Sequence, residues 1–461
     1  MRPLCLLIAL LTGCAVGPDY VRPDAAVPAA FPGASAKGAA LRADWWKSFR
    51  DPELDRLVES AFRVNADLRA AVARVEQAGA QFEEVEAATY PQLNATGSDV
   101  GSRISQGSFL PINSSLTRSR RSYRAGLATA FELDFWGRVR RSEEAARAQL
   151  LATEDAAESV RLTLAASVVR AYAALRAADE TAAASDELVA VRTEEAGLVK
   201  RRVAVGAAGP AEVAAAEEAL ASAVAARADV RRRRAQAESL IGFLTGTPAL
   251  TLPPRASPLR APAVPAAGLP AAVLARRPDV RAAEQALVAA TAQVGLQVAS
   301  RLPTFSLTGA FGTESRELSE MFGGPTQTRS LGVDLAFPLL DWGGGAARVA
   351  AAEAGVKAAA ADYERAAFQA LREVRDALAD VRESGAAAAS ADRVESASRE
   401  SFRLAQVRAE AGQGGPAELL DARRRLAESR LVVARLRFER AAAPADFCRA
   451  IGGADPAPAG R

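Results

Sequence analysis

The sequence predicts a mixed α and β fold that is mainly α-helical and is built as an internal two-fold repeat. Matching residues that lie 212 positions apart are Asp67 and Asp279, Arg69 and Arg281, Pro91 and Pro303, and Gly97 and Gly309. Matching residues that lie 206 positions apart are Gly126 and Gly332, Phe131 and Phe337, Trp136 and Trp342, Gly206 and Gly412, and Pro210 and Pro416. The spacing changes between Gly97 and Gly126, so the two halves differ in length in an exposed loop. A repeat of this length predicts one body made of two similar halves.

Composition and charge favour long, closely packed helices over a catalytic domain. Aromatic residues make up only 5% of the 461 residues, and alanine dominates the sequence. The 58 basic and 55 acidic residues nearly cancel, so we expect no nucleic-acid partner. The sequence has no histidine, which excludes His-based catalytic triads and His-ligated zinc. We therefore expect no catalytic site, no metal, and no cofactor other than a covalent lipid.

The N-terminus has the pattern of a bacterial signal peptide. Arg2 provides the positive charge, and Leu4–Leu11 is an apolar stretch much shorter than the roughly 20 residues of a spanning helix. Leu-Thr-Gly then precedes Cys14, which resembles a lipobox, so we expect residues 1–13 to be removed and Cys14 to be lipidated. An ordinary secretory signal is the alternative. Residues 14–50 contain spaced prolines and are predicted to be extended.

Residues 51–244 form the first predicted repeat. Apolar residues recur at helical spacing over Glu53–Ala88. Two alternating segments, Leu93–Val100 and Tyr123–Asp134, predict strands. Arg138–Ala204 contains no proline and predicts one helix of about 100 Å at 1.5 Å per residue. A returning helix is expected over residues 211–244.

Residues 271–453 form the second predicted repeat, with the same order of elements. Its predicted strands are Thr304–Gly312 and Arg329–Leu339, and its predicted hairpin helices are Arg348–Glu410 and Ala417–Ala442. The halves are joined by a proline-rich linker, residues 245–270, and the chain ends in a tail predicted to be flexible, residues 454–461. Long antiparallel hairpins with alanine-rich seams are expected to pack as coiled coils.

Two groups of residues are candidate functional sites. The turns between the long helices are rich in glycine and proline, at Gly206, Pro210, Gly412, Gly414 and Pro416. The polar face of the predicted strands holds the acids Glu132, Asp134 and Asp334, which predict a lumen lining of acidic character.

The predicted strands require neighbouring chains. Each strand is close to the roughly 9–11 residues that cross a bilayer at a tilt. Four strands cannot close a barrel, and unpaired strand edges in lipid cost several kcal/mol for each backbone group. Three chains would supply twelve strands and close a transmembrane β-barrel. The alternative is that the strands are surface hairpins packed on a helical rod.

At the level of motifs, the chain resembles the TolC-like outer-membrane efflux factors, in the lipoprotein branch that includes NodT and OprM. The matching segments are Gly13-Cys14, Pro18-Asp19-Tyr20, Arg22-Pro23, Trp45-Trp46, Asn65-Ala66-Asp67-Leu68, Phe135-Trp136-Gly137, Arg276–Glu284 and Leu419-Leu420-Asp421-Ala422. The resemblance extends from Cys14 to about Gly453, nearly the whole chain.

This resemblance implies a homotrimer anchored in outer-membrane lipid, whose β-barrel is continuous with a long α-helical coiled-coil barrel in the periplasm. It implies two protein partners, a periplasmic adaptor and an inner-membrane pump of the RND type. The glycine–proline turns match the periplasmic hairpin tips of the family. The family often carries Asp at the tunnel constriction, where this chain has Gly414, although Glu410 and Glu418 flank that position.

The function expected from the resemblance is a passive export duct of a tripartite efflux system. Two alternatives from other classes are a lipid-anchored coiled-coil spacer of the envelope without channel activity, and an enzyme that uses carboxylates alone. Bilayer conductance separates the duct from the spacer, and the absence of a globular α/β pattern argues against the enzyme. The sequence does not identify the exported compound.

Overall fold

The computed structural model describes residues 15–23, 27–32, 42–105, 119–255, 257–323 and 325–453. The helices are α1 Pro52–Val64, α2 Ala66–Ala87, α3 Arg138–Ala204, α4 Pro210–Leu244, α5 Pro270–Arg276, α6 Pro278–Ala299, α7 Gly344–Glu410 and α8 Pro416–Ala450. The strands are β1 Gln92–Arg103, β2 Ser119–Leu133, β3 Thr304–Ser315 and β4 Gln327–Ala336. Cys14, the predicted signal segment 1–13 and the predicted tail 454–461 lie outside the described residues.

The chain divides into two compact units. The first contains the described residues up to Pro23 together with Val75–Ala152 and Ala283–Tyr363, and therefore holds the whole sheet. The second contains the other described residues, including both turns between the long helices. In the part of the chain that the structure describes, no helix combines the length and the hydropathy needed to cross a membrane.

The sheet of the first unit has four strands in the order β1-β2-β3-β4, and all neighbours are antiparallel. At the end next to its connecting loop, each strand is longer than the sequence pattern predicted. The reason is that cross-strand hydrogen bonding continues through the polar residues there. At the other end, the fourth strand stops at Ala336, short of the predicted Leu339, because Pro338 has no N–H to donate.

The predicted helix over Glu53–Ala88 is divided into α1 and α2 at Asn65. Asn65 has an extended backbone, with φ −60° and ψ 130°. Its side-chain oxygen accepts from the N–H of Leu68 at 3.1 Å, which caps α2, and its amide donates to the carbonyl oxygen of Leu244 at 3.1 Å. The helical periodicity predicted one helix because apolar spacing persists on both sides of this break.

The core of the second unit is formed by aromatic and aliphatic side chains from several segments. Trp45, Trp46 and Phe49, on a short 3-10 helix, pack with residues of α1, α3 and α4. Tyr172 of α3 is fully buried, and its hydroxyl donates to Asp51 at 3.2 Å. Asp51 is also the N-cap of α1, so one carboxylate starts a helix and fixes it to the core.

Candidate functional site

The strand register separates the sheet into an apolar face and a polar face. Residues opposite each other on neighbouring strands share a face, so Phe131, Leu307 and Val333 form one row. The adjacent row on the opposite face contains Glu132, Ser306 and Asp334. One face is therefore lined with large apolar side chains, as the alternation predicted.

The apolar face is exposed in the single chain. Leu331, Val333 and Leu335 of β4 are 82%, 63% and 62% exposed, and Leu93 of β1 is 67% exposed. A contiguous apolar surface of this kind is typical of a face that contacts lipid or another protein. Within the described residues, the outer edges of β1 and β4 have no strand partner.

The three predicted lumen acids have different environments. Glu132 lies on the polar face and accepts a hydrogen bond from Arg138 at 2.7 Å, so its charge is paired. Asp334 lies in the same row and has no ion-pair partner among the described residues. Asp334 is thus the member of this row whose charge is uncompensated.

Asp134 is not a strand residue, which corrects the prediction that placed it on the polar strand face. The second strand ends at Leu133, and the Asp134 carboxylate accepts from the N–H groups of Val139 and Arg140 at 3.2 and 3.0 Å. It also accepts from the Arg140 guanidinium at 3.2 Å. Asp134 therefore satisfies the free N–H groups at the start of α3.

The turn between α3 and α4 has the geometry of a Schellman motif. Gly206 has φ +74°, and its N–H donates to the carbonyl oxygen of Val203 at 3.0 Å. The next N–H, of Ala207, reaches the carbonyl oxygen of Arg202 at 2.8 Å. These are the two bonds of the motif, and they require a left-handed residue at the position of Gly206. Pro210 then begins α4 as its first residue.

The turn between α7 and α8 repeats this geometry. Gly412 has φ +70° and donates to Ala409 at 3.1 Å, and Gln413 donates to Arg408 at 2.8 Å. Pro416 is the first residue of α8. The sequence repeat therefore corresponds to two structurally equivalent turns.

Both turns carry an arginine–glutamate pair across the gap between their helices. Arg408 donates to Glu418 at 2.7 Å in the second turn, and Arg202 lies 3.8 Å from Glu212 in the first. Glu418 is thus held in an ion pair with Arg408. Gly414, which lies between these two residues in the chain, supplies no carboxylate. The main-chain N–H of Ala409 and the Arg408 side chain lie close to the space that a side chain at Gly414 would occupy, at 3.4 and 3.5 Å.

Sequence reasoning missed a set of ion pairs that join α8 to α3. Arg423 of α8 donates to Glu194 of α3 at 2.8 Å and also pairs with Glu187. Arg192 of α3 pairs with Glu428 of α8 at 3.3 Å. These residues lie more than 220 positions apart, so no local pattern could reveal them.

A second set of ion pairs centres on Arg437 of α8. It donates to Asp392 and Glu395 of α7 at 2.8 and 3.1 Å and pairs with Glu180 of α3. Burial raises the pKa of Glu180, and the facing Arg437 counteracts that shift. One Glu180 oxygen, Oε2, is buried without a hydrogen-bond partner. Arg437 therefore stabilises carboxylates from two helices at one point.

The segment after Cys14 is held in place by contacts within the first unit. The N–H of Val16 donates to the carbonyl oxygen of Trp136 at 3.0 Å, and Asp19 accepts from Arg141 at 2.7 Å. Tyr20 donates to Glu284 of α6 at 3.0 Å.

No grouping of three metal-ligating side chains is present within the described ranges. The features that the structure brings together are the two-faced sheet, the paired turns and the ion pairs between long helices.

Both halves of the chain are similar to one family of known proteins. Residues 57–247 and 269–453 match the outer membrane efflux protein family. The outer membrane protein OprJ of Pseudomonas aeruginosa is 37% identical over 97% of this chain and 95% of its own length. The cation efflux system protein CusC of Escherichia coli K12 is 30% identical over 98% of this chain and 99% of its own length.

Solved structures give the same result for the fold. The outer-membrane channel OprN superimposes with a TM-score of 0.84 and 30% identity, covering 95% of this chain and 99% of its own. The matched family and these relatives, an outer membrane protein, a cation efflux system protein and an outer-membrane channel, confirm three predictions: the mainly helical fold with four strands, the outer-membrane location and the function in efflux. The chain belongs to the outer membrane efflux protein family.

Proposed function

We propose that this chain works as a homotrimer that forms a passive export duct through the outer membrane. Three copies of the four-stranded sheet would close a twelve-stranded barrel, continuous with a coiled-coil barrel of the long helices. The observation that carries this proposal is an open sheet with a strongly exposed apolar face and two unpaired edges. In lipid the backbone N–H and C=O groups of such edges need hydrogen-bond partners, and pairing between copies supplies them.

The partners follow from the same proposal. The two glycine–proline turns are the periplasmic tips, where an adaptor engages the duct and an inner-membrane pump of the RND type drives export. Arg423, Glu187 and Glu194 then restrain α8 against α3 in the closed state. Gly414 supplies no acid at the place where the family resemblance implies a carboxylate ring, and Glu410 and Glu418 flank that position.

The anchor is a lipid on Cys14, after removal of residues 1–13. The contacts of Val16 and Asp19 support it, because they hold the following residues against the unit that contains the sheet. Mass spectrometry of the N-terminal peptide from outer membranes would identify acyl chains on Cys14. An unmodified Cys14, or a mature chain that starts elsewhere, would reject the anchor.

The duct carries out no chemistry on its cargo, and cargo selection resides in the pump. Purified protein in a planar bilayer should conduct ions when the α3–α8 ion pairs are broken by Arg423→Ala. A detergent-solubilised sample should have three times the chain mass. Absence of conductance in both the native protein and the Arg423→Ala variant would favour the envelope spacer.

The acids on the polar face make separable contributions to selectivity. Glu132 is paired with Arg138, whereas Asp334 is not paired among the described residues. We expect Asp334→Asn to reduce cation preference in single-channel recordings more than Glu132→Gln does. The same loss in both variants would contradict the role assigned to the Arg138 pair.

A further inference from the structure

The connections of the four strands define two ends of the sheet. Helices α2 and α6 lead into β1 and β3, and β2 and β4 lead into α3 and α7, all at one end. The β1–β2 and β3–β4 connections lie at the opposite end, which we call the loop end. In the assembly proposed above the long helices lie in the periplasm, so the loop end lies at the outer leaflet of the membrane.

The apolar face of the sheet becomes cationic toward the loop end. Each of three strands carries one arginine there: Arg103 of β1, Arg121 of β2 and Arg329 of β4. Each arginine lies an even number of residues from an apolar member of its own strand, so the two share a face. Those apolar members are Leu93, Phe131 and Val333. We call Arg103, Arg121 and Arg329 the arginine group.

The opposite end of this face carries no charge within the four described strands. It is formed by Leu93, Leu133, Phe305 and Leu335. An arginine on the lipid-facing surface of a barrel is strongly unfavourable at the centre of a bilayer and close to neutral near its interface. The arginine group therefore marks the place on this face where the outer boundary of the lipid would lie.

Arg329 lies at the border of the apolar surface. It is opposite Phe311 of β3, which in turn is opposite Leu127 of β2. Phe311 and Leu127 are 60% and 46% exposed, so apolar surface extends up to this arginine. The aliphatic stem of an arginine can cover such surface while its guanidinium reaches more polar surroundings. The position thus suits a headgroup just beyond a layer of acyl chains.

Arg103 and Arg121 are diagonal neighbours on the same face. The observed pairs Arg103–Ser119 and Gly101–Arg121 place them about 7–8 Å apart. Asp99 accepts from Nε and Nη2 of Arg121 at 2.9 and 2.6 Å, and the guanidinium lies 5.1 Å from the centre of the Tyr123 ring. These contacts orient Arg121, and they leave N–H groups of its guanidinium for another acceptor.

The arginine group is only partly neutralised. Asp99 is the one acid on this face within the four described strands. Arg103 and Arg329 have no ion-pair partner among the described residues. Three arginines and one aspartate therefore leave a net positive charge at the loop end of this face in every copy.

We propose that the arginine group binds the phosphate groups of outer-leaflet lipids whose acyl chains lie against the apolar face. This inference rests on the function proposed above, because it requires that face to contact lipid. The occupant is an anionic amphiphile, because the surface is apolar over most of its length and cationic where it ends. Guanidinium groups suit phosphate, since their N–H groups form paired, charge-assisted hydrogen bonds with two oxygens.

Two other arginines at the loop end provide a matched control. Arg120 and Arg124 lie on β2 an even number of residues from Glu132, and therefore on the polar face. Arg124 donates to Glu314 of β3 at 3.1 Å on that face. Replacement of Arg120 and Arg124 removes the same charge from the same end of the sheet, but not from the lipid-facing surface.

Lipid binding to the full-length, lipidated trimer tests the proposal. The trimer in neutral detergent is titrated with bisphosphorylated lipid A and with its monophosphorylated form, and bound lipid is counted by native mass spectrometry. Each basic residue beside an anionic lipid surface raises affinity by about fivefold. We therefore expect Arg103→Gln/Arg329→Gln to bind bisphosphorylated lipid A about 25-fold more weakly than the parent, and Arg120→Gln/Arg124→Gln to bind within about twofold of it.

The unsubstituted protein gives a test that depends on no variant folding correctly. It should prefer the bisphosphorylated lipid to the monophosphorylated one by about fivefold, and added salt should reduce this preference. Equal affinity for the two lipids would overturn the proposal, as would equal affinity of the two double variants for the bisphosphorylated lipid. Complete displacement of the lipid by inorganic phosphate would also overturn it, because the acyl chains would then contribute nothing.

Trimer mass and bilayer conductance are measured on the same preparations. A trimeric, conducting channel that does not distinguish the two lipids rejects only the phosphate site. A monomer without conductance rejects the proposed duct, and with it the lipid-facing surface on which the arginine group would act.

Discussion

Replacement of Arg437 by glutamine should weaken the local stability of the second unit around α3. Arg437 is 29% exposed, and its partners Glu180 and Glu395 are 17% and 11% exposed. Removal of one partner from a fully buried ion pair costs about 3–5 kcal/mol, because the remaining charge is uncompensated. Because Arg437 is partly exposed to water, the expected cost of its removal is smaller, about 2 kcal/mol.

Amide hydrogen exchange measures this loss locally. About 2 kcal/mol corresponds to roughly 30-fold faster exchange where exchange follows local opening, since each 1.4 kcal/mol is a factor of ten. We expect this acceleration in α3 peptides that contain Glu180 in the Arg437→Gln variant. Arg435→Gln is the matched control on the same helix, because Arg435 is 74% exposed and pairs only with Glu439, at 3.5 Å, among the contacts described.

The loss of stability in the Arg437→Gln variant should depend on pH through Glu180. The pKa of Glu180 is raised in the folded protein, so the folded state binds a proton more strongly than the unfolded state does. Stability therefore increases as the pH falls through the window between the unfolded and the raised pKa. Without Arg437 the pKa of Glu180 rises further, and the exchange defect should be smaller at pH 5 than at pH 8.

Two results would refute this reasoning. An acceleration in Arg437→Gln no larger than that in Arg435→Gln would mean that the buried carboxylates do not depend on Arg437. A defect that grows with acidity would mean that another group controls it. The double variant Arg437→Gln/Glu180→Gln should recover part of the lost stability, because it removes the uncompensated charge.

Three further substitutions or reactions test other parts of the fold. Asn65→Ala removes a cap and a buried hydrogen bond, and it should cost about 1–2 kcal/mol in unfolding, while Asn65→Asp loses the bond to Leu244 but should keep the cap and cost less; equal costs would contradict the role of the cap. Gly206→Ala should destabilise by about 1–2 kcal/mol because φ is +74°, and Gly209→Ala, at φ −102°, should have a smaller effect on the same melting curve. Burial raises the pKa of Cys448 to about 12, so native protein should resist maleimide at pH 8 and react after denaturation; rapid labelling of the native form would contradict this.

The long helices and the turns could be predicted from the sequence because their determinants are local. The bounds of α3 agree with the predicted Arg138–Ala204, since no proline interrupts the segment and Gly206 ends it. The glycines at both turns have the left-handed backbone that their position after a helix favours. Strand identity was also predictable, because alternation of apolar residues is a local signal.

Features that depend on distant residues were not predictable. The break at Asn65 is stabilised by the carbonyl oxygen of Leu244, which is 179 positions away. Arg277 contacts Asp279, two positions further along the chain, at 2.6 Å, but it also reaches Glu373, which is 96 positions away, at 2.9 Å. Asp134 was misplaced for a different reason: its cap on α3 involves residues only five and six positions away, but alternation alone does not show where a strand ends.

The polar face of the sheet explains why a duct of this kind would be unselective. Most of its residues are small and uncharged, including Thr96, Ser306, Thr308 and Ser330. Its acids Glu132 and Glu314 are paired with Arg138 and Arg124, and Asp334 is the acid of this face without an ion-pair partner among the described residues. A wall of this composition offers weak hydrogen bonds to many solutes and strong binding to none, and weak binding is what conduction requires. In the proposed assembly, the choice of cargo must therefore be made by the pump before a solute reaches the barrel.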